Sequence, residues 1–165
     1  RLLVGLGAAA AFAVGDSAWT WIASGLFIAS LVLDRADGIL ARMTGQTSEA
    51  GHRYDLFADS ICNTLAFVGI GVGLRDSVIG YWSVPLGLVT GLAVAAVLWL
   101  VLRIEKVSGP RAAELGSTVG FDADDAMLLV PIAMLLGWGV ELLCAAAVGA
   151  TAFAAFFFWR FRDRA

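Results

Sequence analysis

Four aspartates, Asp34, Asp37, Asp55 and Asp59, stand within 26 residues of a strongly apolar chain. Around them the sequence reads Asp34-Arg35-Ala36-Asp37-Gly38-Ile39-Leu40-Ala41-Arg42, then eight residues, then Gly51-His52-Arg53-Tyr54-Asp55-Leu56-Phe57-Ala58-Asp59. On a helix, positions three and four apart share a face. Asp34, Asp37, Gly38 and Ala41 therefore make one stripe, and Gly51, Asp55 and Asp59 make a second. Unpaired carboxylates gathered beside lipid repel one another and lose solvation. Membranes tolerate ionisable groups mainly where they pair or line a functional cavity. Ion pairing with Arg35, Arg42 and Arg53 accounts for any one aspartate, but poorly for four in phase with small residues on two helices. Divalent cations answer better. Oxygen-only donors select hard ions, Mg²⁺ or Mn²⁺ with Ca²⁺ as competitor, and such ions neutralise charge during phosphoryl transfer. Gly38, Ala41 and Gly51 leave room for a bulky ligand against the helix backbone.

The elements that must hold these residues are written in the composition. Of 165 residues, 60% are hydrophobic and only 15% charged, against about 25% charged in a soluble domain. The net charge of −3 is too small to imply nucleic acid as a partner. The 19 glycines suit close helix packing in lipid. Apolar runs fall near 2–14, 19–33, 56–74, 78–102, 126–138 and 142–158. A spanning helix needs about 20 residues, so the second and third runs must extend through their charged ends and carry all four aspartates. A short loop joins them, which predicts antiparallel neighbours facing each other across one cleft. The last two runs read as a tight hairpin broken only by Gly137-Trp138-Gly139-Val140-Glu141.

Six helices is the simplest count, or five if the first run is a fragment. The reading is an all-α polytopic membrane bundle, one domain over 1–165, expected to continue upstream because it begins with Arg rather than Met. If the first end faces inward, ten of the eleven basic residues face inward, and Arg75 alone faces out. That asymmetry puts both ends and the aspartates on the cytoplasmic side of a cell membrane. Trp19, Trp21, Trp82 and Trp138 then mark the outer interface, and Trp99 and Trp159 the inner one.

The segment 34–59 resembles, at all eight fixed positions, the signature D-x2-D-G-x2-A-R-x8-G-x3-D-x3-D of the CDP-alcohol phosphatidyltransferases. That resemblance implies attack of an acceptor hydroxyl on a CDP-alcohol, usually CDP-diacylglycerol in bacteria, with release of CMP. The acceptor is a small polar or lipid alcohol. By position, Asp34, Asp37 and Asp55 would be metal ligands and Asp59 a ligand, the general base, or both. Gly38, Ala41, Arg42 and Gly51 would shape the CDP site, with Arg42 on the diphosphate, and a homodimer is implied. These nucleotide and dimer assignments rest on the resemblance alone.

Weaker signals surround this core. Arg103, Lys106 and Arg111 are ordinary inward-facing residues that attract anionic membrane lipid or, alternatively, an acceptor-phosphate pocket. Asp122, Asp124 and Asp125 read as caps of the fifth helix, with acceptor contact as the alternative. His52 reads as a loop residue, and Cys62 and Cys144 as small buried hydrophobes. Asn63 and Thr64 either line the cleft or bond between helices. Two other functions compete: a cation or proton transporter, which predicts half-helices broken at mid-membrane carboxylates, and a lipid-binding family member without catalysis.

Overall fold

The apolar runs fold into α1 (Leu2–Val14), α2 (Ser17–Met43), α3 (Glu49–Gly73), α4 (Ser83–Ser108), α5 (Leu129–Leu135) and α6 (Gly139–Phe161). In this computed structural model the described residues are 1–45, 48–108 and 123–161, and the side chains of 105–108, 123–125 and 161 lie outside the description. Among the described residues there is no strand. Short 3₁₀ segments, Leu74–Asp76 and Gly80–Trp82, turn the chain between α3 and α4, and another, Ala123–Leu128, leads into α5.

Four helices, α2, α3, α4 and α6, are long and apolar enough to cross a membrane, so the chain is read as multi-pass. The two others are shorter: the 13 residues of α1 rise about 20 Å at 1.5 Å each, short of a roughly 30 Å hydrocarbon core. As the charged ends required, α2 continues past Asp34 and Asp37 to Met43. Helix α3 begins well before its apolar run, where Ser48 accepts a hydrogen bond from the Gly51 amide at 3.0 Å. That cap places His52 in the first turn of α3, not in the loop.

The helix order in space differs from expectation at one point. Helices α2 and α3, expected to pack directly, make little contact with each other, and α1 packs against both. The reason is side-chain size. At Gly5 a Cβ would press on Cys62 of α3 and Ser30 of α2, and at Gly69 and Gly73 it would strike the α1 backbone at Ala9 and Phe12. With Ala8, Ala9 and Ala11 buried beside them, α1 is thin enough to lie between the two longer helices. It runs antiparallel to α2 and parallel to α3, and closes with Gly15 at φ 81°, tight against Gly73. Helix α4 meets the other face of α3 through Gly71, Gly87 and Gly91. The Thr64 hydroxyl donates to the Gly91 carbonyl there at 3.1 Å, the interhelical role weighed for it. Such small-residue contacts replace the hydrophobic drive that helices lack inside lipid.

The interior is built from small residues and a few large ones, with the Phe12 and Phe27 rings meeting edge-on at 6.3 Å. The surface is apolar: Trp21, Tyr81, Trp82 and Trp159 are all exposed, as befits a bundle solvated by lipid. Cys62 is buried as expected, but Cys144 is exposed on α6 because it points away from the bundle.

At the end opposite the aspartates, Arg75 closes two helices at once. Its guanidinium donates to the carbonyl of Ala13 at 3.2 Å and of Val72 at 3.0 Å, near the C-termini of α1 and α3. Charged donors on terminal carbonyls satisfy groups a helix leaves unpaired. Arg75→Ala is expected to cost about 1–2 kcal/mol, read as a lower midpoint of thermal unfolding in detergent. An unchanged midpoint would show these two bonds to be idle.

Candidate metal centre

Helical period carries the two acidic stripes to one end of the bundle. In the last turns of α2, Asp34, Gly38 and Ala41 are partly buried while every other residue from Arg35 to Met43 is exposed. That pattern turns the 34/38/41 face inward. Three residues at 3.6 per turn set Asp37 about 60° around from Asp34, and its side chain is exposed. On α3, Asp55 and Asp59 are four apart and both partly buried.

One oxygen from each of Asp34, Asp55 and Asp59 lies within 4.8 Å of the others. Asp37 is not in that group among the described residues. The three carboxylates approach from α2 and α3 across the N-terminal end of α1, which fills the space between. At 4.8 Å, two like charges repel by about 3 kcal/mol at an effective dielectric constant near 20, before solvent screening of the half-exposed Asp55. A cation has to offset that repulsion.

A cation sits there. The Arg1 side chain, 6% exposed, enters from the head of α1. Its Nη1 pairs with Asp34 and lies 3.0 Å from Asp55 Oδ1 and 3.3 Å from Asp59 Oδ1. Its Nη2 donates to the Asp55 backbone carbonyl at 2.6 Å. Within this cluster, Arg1 Nη1 and Asp34 Oδ1 are both buried without a well-aligned hydrogen bond. In the sequence, Arg1 stands out only as one of the inward-facing basic residues. The signal was there: a lone cation heading an apolar helix must lie at the same interface as the carboxylates.

Two of the arginines expected to compete for the aspartates, Arg53 and Arg42, are placed differently. Arg53 pairs with Glu49 at 2.7 Å on the exposed side of α3. Arg42 folds back over Gly38, where its guanidinium nitrogens lie 3.6–3.7 Å from the position a Cβ would take. A Cβ at 38 would meet it at ordinary contact distance. Gly51 is exposed, with its amide held by Ser48. Arg103 lays its guanidinium over the Trp99 ring at 5.3 Å, a cation–π contact along one face of α4. The side chain of Lys106, all of Arg111, and the side chains of Asp122, Asp124 and Asp125 lie outside the described residues.

The donor set fits a hard divalent ion. Opposite oxygens around one Mg²⁺ or Ca²⁺ stand about 4–5 Å apart at bond lengths of about 2.0–2.6 Å, and the three oxygens here fall within that span. The buried Asp34 oxygen, paired here with Arg1, is the one that such an ion would have to share or take over. Helices α2 and α3 run unbroken through all four aspartates, unlike the interrupted half-helices of ion-coupled transporters. The family model for CDP-alcohol phosphatidyltransferases matches residues 1–159. No curated protein and no solved structure matches the chain.

Proposed function

The chain belongs to the CDP-alcohol phosphatidyltransferase family, and from that premise we propose that it transfers a phosphatidyl group from CDP-diacylglycerol to an acceptor hydroxyl at the cytoplasmic face of a cell membrane. The observation that carries the metal-dependent part of this reading is the convergence of Asp34, Asp55 and Asp59 within 4.8 Å. These three, with Asp37 reaching in from its exposed position on the adjacent flank of α2, would hold Mg²⁺ or Mn²⁺. The ion would supply charge neutralisation on the diphosphate and on the departing CMP.

The protein's own groups divide the remaining work. Asp59, a third exposed and the innermost of the α3 pair, takes the proton of the acceptor hydroxyl. A base must reach that proton directly or through one water. The acceptor oxygen bonds to the lipid-bearing phosphorus as the anhydride bond to CMP breaks, and CMP carries away that electron pair. Arg42, folded over Gly38 one turn beyond Asp34, contacts the diphosphate as a charged donor. Gly38 and Ala41 keep the α2 face flat for the nucleotide, and Gly51 shapes the opposite rim. Arg103, Lys106 and Arg111 are the proposed acceptor-side cations, and a homodimer in the membrane belongs to the same proposal on family grounds.

Purified protein given CDP-diacylglycerol, Mg²⁺ or Mn²⁺ and a panel of alcohols should release CMP with one acceptor class, its lipid product identified by mass spectrometry. A chelator should reduce release to the uncatalysed level, and either ion should restore it. Turnover that survives exhaustive chelation would sink the metal-dependent mechanism. Ion flux in proteoliposomes free of CDP-lipid, with no CMP release from any alcohol, would overturn the transferase reading.

A further inference from the structure

Arg1 is the least expected member of the site. Its side chain is almost fully enclosed, yet it makes no contact that builds the α1 helix, for it provides no side-chain cap. Among the described residues its guanidinium meets the carboxylate group: Asp34, Asp55, Asp59 and the Asp55 carbonyl. It is held in place from behind, because the Gly5 amide donates to the Arg1 carbonyl at 3.0 Å and Ser30 Oγ lies 3.4 Å from the same oxygen. Two helices therefore fix the root of the side chain, and its tip occupies the point where three negative charges meet.

We propose that Arg1 is the resident counter-cation of this centre: it holds Asp34, Asp55 and Asp59 together in the metal-free protein and competes with the divalent ion for them. This rests on the metal-binding role given to the three aspartates above. A guanidinium is always charged and presents several donors in a rigid fork, so it can neutralise a carboxylate cluster without a change of protonation. It cannot share the same oxygens with an ion at close range, since two cations at the cluster centre repel. Metal entry therefore requires the Arg1 tip to withdraw, and that displacement lowers the apparent metal affinity. In exchange, the two carboxylate-bearing helices keep their spacing when no metal is bound.

The test is Mn²⁺ binding, followed by electron paramagnetic resonance of the free ion, in detergent-solubilised wild type, Arg1→Gln and Arg1→Lys, with thermal unfolding in chelator measured alongside. Arg1→Gln should bind Mn²⁺ about tenfold more tightly than wild type and unfold at a lower temperature in chelator. The temperature difference should shrink at saturating Mn²⁺. Arg1→Lys keeps the charge but loses the fork, so it should tighten Mn²⁺ binding by a smaller factor; if Arg1→Gln does not fold, this variant decides. Equal or weaker Mn²⁺ affinity in the folded variants overturns the proposal, as does lower stability without tighter binding, which marks a purely structural arginine. Absence of Mn²⁺ binding in wild type and variants alike sinks the metal centre itself and this inference with it.

Discussion

Asp55→Asn is expected to lower the rate of CMP release at least about a thousandfold while the bundle stays folded. Asn keeps the shape of the side chain and removes its charge and one hard oxygen donor. Asp55 Oδ1 stands 3.0 Å from the cationic centre of the site, and its neighbours Asp34 and Asp59 offer oxygens within 4.8 Å. Loss of one charged donor from so small a set weakens the ion and leaves charge on the diphosphate uncompensated as the anhydride bond breaks. The fold should tolerate the change. Asp55 is half exposed, and the bond from Arg1 Nη2 goes to its backbone carbonyl, which the substitution leaves in place. The measurement is initial rate of CMP release beside circular dichroism and thermal unfolding. A folded Asp55→Asn protein with more than a tenth of wild-type turnover would remove Asp55 from the site.

Gly71→Ala is expected to be strongly destabilising for a single-methyl change in the packing between α3 and α4, where Gly87 faces it at equal distances. A Cβ at Gly71 would lie 2.6 Å from the Ser83 carbonyl oxygen and 2.9 Å from the Gly87 Cα. Both are backbone atoms and cannot rotate aside, so the helices must separate. Overpacking of this kind costs about 1–3 kcal/mol, or roughly 2–12 °C in unfolding midpoint for a chain of this size. Gly25→Ala is the matched control, because a Cβ there meets nothing within 4 Å. It should leave the midpoint unchanged or raise it, as Ala favours helix over Gly. Equal effects from the two substitutions would show that the close approach of α3 and α4 contributes nothing to stability. Activity should fall with Gly71→Ala as well, since α3 carries Asp55 and Asp59.

Much of this organisation was legible along the chain. The helices follow from apolar runs that had to absorb their charged ends, and α2 and α3 do extend through all four aspartates. The 34/38/41 face follows from the helical period, because azimuth on a helix depends only on residue spacing. Two details escaped. His52 belongs to the first turn of α3 because Ser48, seven residues before Asp55, caps the helix earlier than the apolar run begins. Asp37 shares a stripe with Asp34 in sequence but stays exposed, because 60° of azimuth decides burial at a narrow contact and period alone does not show where that contact is centred.

The sequence by itself determined which residues can do chemistry and which helix faces present them, since both depend on local spacing and on the cost of placing charge in lipid. Only the tertiary structure decided what stands between those faces. Helix α1, thin at Gly5 and opposed by Gly69 and Gly73, lies between α2 and α3, and so brings Arg1 into the centre of the aspartates from 33 residues away in the chain. That outcome depends on matched small residues on three helices distant in sequence, and complementarity of that kind has no period to read.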